Sequence, residues 1–505
     1  MKKIVLILIL LLIIVGKVEA VDFNVTKGIE KQLNVNIEGF YYPTELTPLV
    51  VGLENGKRVY ILGTSHSFKC ISDKNLLTGD VNIPQSQCNL VAREGILDHL
   101  EANGGAVYKD PNNVGPEIWK FGYNGIMGIV NVTVNGQKRW VTIQHNEQTN
   151  VKLGDNWYQN RLYPWITVDD KWSAFANFVS VSWYPDNGNG WPEQNLMNEY
   201  GPVLWPKNGY LLKNGSNITR ATPAGFYQPT LFADDSYLYT FVQYTGAENL
   251  RQIDSRAWAC MIAARSPIAS GGAPGSWKFY YQGGFNSSAM PSGYTSTNLT
   301  DLNNNQSPFY FQGGGRADCL PMEGPNITHN PFYFNVAKIK GTSYYIAAEE
   351  GAIYKTPQST GLDGWIMGVR LSNDLIHWSP IQILAQADGS WGNGEYGYPT
   401  FLNKEVTSNH EIDPNEFYIM GKHATGVAGG YELKAMKLSL TIILPTPTKI
   451  PTAVPTIKPK ITGDYDGNGV VNLADFGEWE KRYLATPPTM TLVEFGVWKR
   501  GYLTN

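Results

Sequence analysis

Charge is scarce in this sequence. Asp, Glu, Lys and Arg make up 17% of its 505 residues and sum to −4, so no basic surface is offered to a nucleic acid and that class of partner is excluded. Cysteine is scarcer still, at four, and none stands in a Cys-x-x-Cys or Cys/His cluster, which excludes a zinc site of that kind. Past the first residues no apolar run approaches the ~20 residues of a membrane span. Yet 42% of the residues are hydrophobic, too many for a disordered chain. What is plentiful is aromatic side chains (12%) and glycine (52 residues). Aromatic residues suit half-buried pleated faces and glycine suits tight turns, so the composition predicts an all-β fold of many short strands.

The amino terminus reads as a targeting segment. Lys2 and Lys3 precede an apolar run from Ile4 to Val15, and Val18-Glu19-Ala20 ends on a small residue before Val21. A basic start, a short greasy core and an Ala cleavage site predict a secretory signal peptide over residues 1–20, with an uncleaved membrane anchor as the alternative. The mature chain is then expected outside the cell, soluble or held at the cell surface. Cys70 and Cys88 form one natural disulfide pair in that compartment, and Cys260 and Cys319 a second, although three connectivities are open to four cysteines. From Leu444 to Ile461 the sequence reads LPTPTKIPTAVPTIKPKI. Proline fixes φ and removes a donor, so residues 444–461 are an extended Pro/Thr-rich linker between a large unit, 21–443, and a small one, 462–505.

The large unit carries a degenerate repeat: an apolar strand, often opened by proline, then a turn and an aromatic-rich strand. The strand starts are Thr47-Pro48-Leu49-Val50, Met127-Gly128-Ile129-Val130, Gln228-Pro229-Thr230-Leu231, Asn330-Pro331-Phe332-Tyr333 and Tyr398-Pro399-Thr400-Phe401. Five such units over this length suit four-stranded blades with long loops, hence a five-bladed β-propeller, with a sandwich as the structural alternative. Ser372-Asn373-Asp374-Leu375-Ile376-His377-Trp378 and Asp186-Asn187-Gly188-Asn189-Gly190-Trp191 have the spacing of an Asp-box turn, and Ser266-Pro267 leading to Ser276-Trp277 holds the same place in the third unit. An Asp side chain closes such a turn on backbone amides while the Trp covers the sheet, so these Asp residues are structural.

On these strand starts and on LSNDLIHW, the large unit resembles the five-bladed β-propeller glycoside hydrolases of the clan around families 43 and 32. The resemblance covers roughly residues 40–440. It implies hydrolysis of glycosidic bonds, with a general-base Asp before the first-blade proline, a second Asp on the next blade and a general-acid Glu in an E-G-P motif. Thr47 and Met127 occupy the two Asp positions here, so the base is not carried over. The acid falls on Glu323, within Glu323-Gly324-Pro325.

Blade geometry gives a second route to a site. The first strand of a blade runs up and the second runs down, so residues near the end of each second strand gather at the mouth of the central channel. These are His66, His145 with Glu147, Gln243 with Tyr244, Glu349 with Glu350, and Lys422 with His423. Sugar-bond cleavage needs one protonated and one ionised carboxyl, which makes Glu147, Glu349, Glu350 and Glu323 the candidate catalytic set and the others candidate substrate contacts. Alternation along a strand lets only one of Glu349 and Glu350 face the channel. The bland readings are a turn-closing role for His145 and Glu147, a channel-filling or metal-holding role for His423 and a loop charge at Glu323. Trp157, Trp165 and Trp191 offer faces for sugar rings or, more simply, for the core.

In the tail, Asp464, Asp466, Asn468, Asn472 and Asp475 stand at positions 1, 3, 5, 9 and 12 of an EF-hand-type loop, with Gly469 at position 6 and the Val470 carbonyl at 7. Alternate oxygens of such a loop encircle Ca²⁺. A helix with Phe476, Trp479 and Leu484 follows, and the whole resembles one half of a dockerin, an α-helical calcium-dependent docking module. Glu494-Phe495-Gly496-Val497-Trp498 echoes Asp475-Phe476-Gly477-Glu478-Trp479, but the second loop lacks acidic residues at positions 1, 3 and 5, so one calcium is expected. The helix pair either packs on itself as a stabilised cap or docks onto the cohesin-like protein partner that the resemblance implies. The sequence thus reads as a secreted, glycoside hydrolase-like propeller acting on polysaccharide or oligosaccharide, with a non-catalytic carbohydrate- or protein-binding propeller as the alternative.

Overall fold

The computed structural model describes residues 22–37, 49–63, 67–92, 121–148, 150–153, 156–159, 172–174, 176–185, 198–204, 211–213, 224–244, 252–253, 256–257, 260–290, 314–322, 328–354, 362–388, 396–424, 431–443, 462–466, 470–485, 494–496, 498–499 and 502. The chain divides into two compact units, 1–443 and 444–505. No helix among the described residues is long and apolar enough to cross a membrane.

In the large unit the repeated strand–turn–strand pattern folds into antiparallel hairpins. Two of them turn on Asn-Gly: Asn55 and Gly56 at φ +49° and +78°, and Asn135 and Gly136 at +50° and +81°. Both residues are left-handed, the signature of the tight turn whose twist matches that of the strands it joins.

The first described strand, β1 (Asp22–Leu33), pairs with the end of the large unit and is placed last. One sheet holds β2 (Val50–Glu54), β3 (Lys57–Gly63), β4 (Ser67–Ser72) and β5 (Cys88–Ala92), in that order. A nine-stranded sheet follows. It contains β6 (Phe121–Val134), β7 (Gln137–Gln148), β8 (Ala176–Pro185) and β9 (Asn198–Leu204), then β10 (Ala224–Ala233), β11 (Tyr237–Tyr244), β12 (Cys260–Pro267), β13 (Lys278–Tyr281) and β14 (Gly284–Ser288). Its two antiparallel runs are joined only where Ala176 and Asn177 of β8 lie parallel to Ala224 and Gly225 of β10.

The next sheet holds β15 (Thr328–Ile339), β16 (Tyr345–Tyr354), β17 (Leu362–Ser372) and β18 (Gln382–Asp388). The last runs β19 (Gly397–Leu402), then β21 (Phe417–Ala424), β22 (Tyr431–Ile443) and finally β1. A two-residue strand, β20 (Glu411–Ile412), leaves that region to lie parallel to β15.

The first strands of these runs follow one another around a centre. Gly128 of β6 approaches Leu231 of β10 so closely that a Cβ there would sit 2.9 Å from its backbone nitrogen. Thr230 Oγ1 donates to the Phe334 carbonyl of β15 at 2.7 Å, the Phe401 amide of β19 donates to Asn335 Oδ1 at 3.1 Å, and Thr400 Oγ1 donates to the Leu49 carbonyl before β2 at 3.5 Å. The result is a nearly all-β, propeller-like arrangement, closed by β1 pairing antiparallel with β22 from Asp22↔Ile443 to Leu33↔Leu433. Apolar clusters fill the spaces between sheets, the largest around Val141, Val181, Phe226 and Trp277. Of the three possible connectivities, the structure holds Cys70–Cys88, across β4 and β5, and Cys260–Cys319, tying β12 to the 314–322 segment.

The outer turn at Ser372–Trp378 is built as its letters predict. Asp374 Oδ1 accepts the amides of Ile376 and His377 at 2.9 and 2.8 Å, and Trp378 Nε1 donates to the Leu375 carbonyl at 3.2 Å while its ring lies buried against Phe241 and Phe334. Burial raises the Asp374 pKa, but the His377 amide and the other donors outweigh it and hold the carboxyl below its ordinary range. Asp186 lies outside the described residues.

In the small unit, helix α1 (Leu473–Tyr483) starts from a capping box in which Asn472 Oδ1 accepts the Ala474 amide at 2.6 Å and Asp475 Oδ2 accepts the Asn472 amide at 2.8 Å. Its apolar face packs Phe476 and Trp479 onto Phe495 and Trp498, with ring centroids 4.8–6.0 Å apart.

Candidate functional site

Four of the five described first strands carry a register shift near the strand starts read from the sequence: Ile126/Gly128 in β6, Tyr227/Thr230 in β10, Pro331/Tyr333 in β15 and Gly397/Thr400 in β19, whereas β2 pairs without one. A bulge bends a strand and re-aims its side chains, and such bulges collect at barrel rims and binding sites. Two of the bulged residues are left-handed without being glycine, Gln228 at φ +52° and Tyr398 at +54°. They meet: Gln228 Nε2 donates to Tyr398 Oη at 3.1 Å across 170 residues of sequence.

The ends of the second strands reach these bulges. His145 of β7 lies with its ring 6.4 Å from that of Tyr227, Gln243 Nε2 of β11 donates to the Pro331 carbonyl at 2.9 Å, and Glu350 Oε2 of β16 accepts the Tyr398 amide at 2.8 Å. In each case the end of a second strand reaches the bulged first strand of the following run, within the nine-stranded sheet for His145 and across to the next sheet for Gln243 and Glu350. Lys422 of β21 places its ammonium 5.1 Å from the centre of the Tyr398 ring, within cation–π reach. Tyr333 lies opposite Glu350 and packs on Tyr398 at 5.6 Å. Burial, and then the charge of Glu350, push the Tyr333 phenol far above its ordinary value, so it stays protonated and able to donate. Phe332 and Trp365 stand edge to face at 5.7 Å, and the Phe332 ring lies 6.4 Å from that of Tyr398.

Strand alternation sorts the neighbouring pairs. Gln243, Glu350 and Lys422 join the cluster; Tyr244, Glu349 and His423 point away. Tyr244 packs on Phe226 at 4.5 Å in the apolar core. Glu349 is fully buried in an ion pair with Arg370, whose Nη1 also donates to the Ser379 carbonyl at 2.9 Å. His423 sits partly exposed with Nδ1 3.4 Å from Glu432 Oε1. Met127 is buried in the core between the first two runs of the nine-stranded sheet. The backbone of Glu147 lies near the end of β7, opposite Tyr123 and Asn177, and Trp157 lies in a short strand, Asn156–Gln159; neither side chain is among those described. His66, Glu323, Thr47, Trp165, Trp191 and Asn468 lie outside the described residues.

The strand ends alone therefore point to His145, Gln243, Glu350 and Lys422 but not to Gln228, Tyr333 and Tyr398. The last two pairs of letters that could have signalled them, Gln228-Pro229 and Tyr398-Pro399, mark strand starts in the sequence without revealing the left-handed turn before each proline.

In the small unit, carboxylate oxygens of Asp464, Asp466 and Asp475 all lie within 4.8 Å of one another. Asp475 Oδ1 also accepts the amides of Tyr465 and Asp466 at 2.6 and 3.0 Å. Burial works against its charge, yet these amides and that of Asn472 hold its pKa below the ordinary carboxylate value.

The fold is similar to several carbohydrate-active enzymes. The catalytic domain of the Coprinopsis cinerea GH62 α-L-arabinofuranosidase is 8% identical, with 83% of this chain and 97% of that one covered at a TM-score of 0.36. An N-acetylgalactosamine deacetylase from F. plautii, solved with blood group B trisaccharide, is 9% identical over 83% and 96% of the two chains, at 0.36. A family 117 glycoside hydrolase of the marine bacterium Zobellia galactanivorans is 10% identical over 83% and 90%, at 0.35. No protein-family model matches the chain, and no curated protein sequence matches it.

Proposed function

We propose that the large unit is a five-bladed propeller that hydrolyses glycosidic bonds in a polysaccharide or oligosaccharide. The two runs of the nine-stranded sheet count as two blades, since only two residue pairs join them and each has its own bulged first strand. The observation that carries the activity is Glu350: a fully buried carboxyl held on one oxygen by the Tyr398 amide, among Tyr333, Lys422 and two aromatic rings, at the bulged ends of the first strands. A buried carboxyl, when protonated, can deliver a proton to a leaving sugar oxygen, and Phe332 and Trp365 give the sugar an apolar face. Glu147, near the end of β7, is the proposed second carboxylate, which activates water or attacks. Glu349 is not retained in the catalytic set, because Arg370 holds it in the space between sheets.

The expected outcome is product release by the full chain from at least one of a panel of plant, algal and bacterial polysaccharides, read by mass spectrometry, and its loss by more than about a hundredfold in Glu350→Gln, the scale of removing a general acid. Glycan binding without product from any substrate would instead establish the recognition propeller, the reading favoured by Thr47 standing where a general-base Asp is expected.

The small unit is proposed to be a dockerin-like module binding one Ca²⁺ through Asp464, Asp466, Asn468, the Val470 carbonyl, Asn472 and Asp475, and docking onto a cohesin-like partner. Oxygens on one calcium at 2.3–2.6 Å stand at most about 5 Å apart, and the three carboxylates meet that limit. The ion would supply positive charge that lets the three carboxylates converge. Calorimetry of Ca²⁺ added to the chelator-treated chain should show one site, lost in Asp464→Asn; no heat from the unaltered chain would remove the calcium reading. Export through the signal peptide is part of the same proposal, since an extracellular polymer and a docking tail both require it.

A further inference from the structure

Gln228 and Tyr398 occupy matching places in two repeats, each directly before the proline that opens a first strand, and both are left-handed. For a residue with a Cβ this region is sparsely populated, and a following proline biases the backbone toward extended conformations. Such a conformation persists only where surrounding contacts over-determine it. Here the visible restraint is mutual: the Gln228 amide group donates to the Tyr398 hydroxyl, so each side chain anchors the other from a different sheet.

Both strands also hold neighbours in place around them. Tyr398 carries Glu350 on its backbone amide, the Lys422 ammonium over its ring and Tyr333 against its edge. Between the two left-handed residues lies β15, whose Pro331 carbonyl takes the Gln243 side chain. We infer that Gln228 and Tyr398 form a strut across the bulged ends of the first strands, and that this strut aims the Glu350 carboxylate through the Tyr398 amide. Tyr398 and Gln228 are positioning residues. If the Gln228–Tyr398 bond is removed, residue 398 relaxes toward the extended region. That rotates the peptide between Gly397 and Tyr398 and withdraws its N–H from Glu350.

The inference rests on Glu350 being the working carboxyl of the proposed function, but its test does not need turnover. Full-length protein is treated with a water-soluble carbodiimide and glycine ethyl ester, and the fraction of Glu350 amidated is followed by peptide mass spectrometry, with Glu349 as the internal control. In the unaltered chain both should react slowly. Tyr398→Phe and Gln228→Leu, each keeping its bulk, should raise the Glu350 rate several-fold and leave Glu349 unchanged, and the double variant should react no faster than either single one. Equal Glu350 rates in all four proteins, additive effects in the double variant, or a parallel rise at Glu349 would each overturn the strut. A faster Glu350 in a protein that releases no product from any polysaccharide would keep the strut and remove the hydrolase reading. Product release with unaltered labelling would do the reverse.

Discussion

Two adjacent glutamates show how one residue of register decides a side chain's role. Glu349 and Glu350 share a strand, a burial class and a chemistry, but alternation sends them to opposite faces. Glu349 meets Arg370 two strand positions away from its direct cross-strand partner, Gly368, in a space where the guanidinium is also held by the Ser379 carbonyl. A buried pair of this kind is weak evidence for net stability, but losing one member leaves a charge with nothing to neutralise it. Arg370→Met should therefore destabilise the large unit by about 3–5 kcal/mol, whereas Glu349→Met combined with Arg370→Met should recover most of that loss. Chemical denaturation followed by tryptophan fluorescence measures both. A single variant as stable as the parent would show that Glu349 is neutralised in some other way. The sequence states that only one of the pair can face the channel; it does not say which, because Arg370 and Tyr398 lie on other strands and only tertiary packing brings them in.

At the scale of single elements the legible parts are those whose chemistry is local. The turn at Asp374 and the cap at Asn472 close within four residues, so their letters suffice. The bulges of β6, β10, β15 and β19 are not legible, because each depends on the neighbouring sheet and the one shared letter, proline, is missing from β6. Helix α1 gives a direct test of local chemistry. The folded Asp475 pKa lies below 3.8, so its three amide bonds contribute stability that is fully present above pH 3.8 and is lost as pH falls through the folded value. Hydrogen exchange of amides 473–483, measured in chelator and corrected for intrinsic rate, should show protection that is constant at neutral pH and declines only below about pH 4. Asp475→Asn should lose part of it at neutral pH and converge with the parent at the lowest pH; unchanged protection at neutral pH would mean that the aromatic contacts with Phe495 and Trp498 hold the helix alone.

For the large unit as a whole, the loop between β19 and β20 does what no repeat unit predicts. Asn409 Oδ1 accepts the Val51 amide at 2.6 Å, the His410 ring contacts the Ile129 carbonyl through Nε2 at 2.8 Å and stands 6.2 Å from the Phe232 ring, and the His410 carbonyl accepts the Lys338 amide at 2.8 Å. One short segment thus touches β2, β6, β10 and β15, on the last three at residues past their bulges. Partners as distant as 358 and 281 residues meet there, which is why the sequence gives no hint of it. Burial outweighs the carbonyl contacts and lowers the His410 pKa below 6.5, so the folded unit resists a proton that the unfolded chain accepts. The sign follows: this group's contribution is constant above pH 6.5 and is lost as pH falls below it, at up to about 1.4 kcal/mol per pH unit until the folded value is reached. Because the loop bears on first strands from every sheet, the loss should appear as an earlier cooperative unfolding of the large unit rather than as local fraying. Thermal unfolding between pH 7.5 and 5 should fall more steeply for the parent chain than for His410→Gln, whose amide can still bond the Ile129 carbonyl but takes up no proton. Parallel curves would place the pH sensitivity elsewhere and reduce His410 to a packing contact.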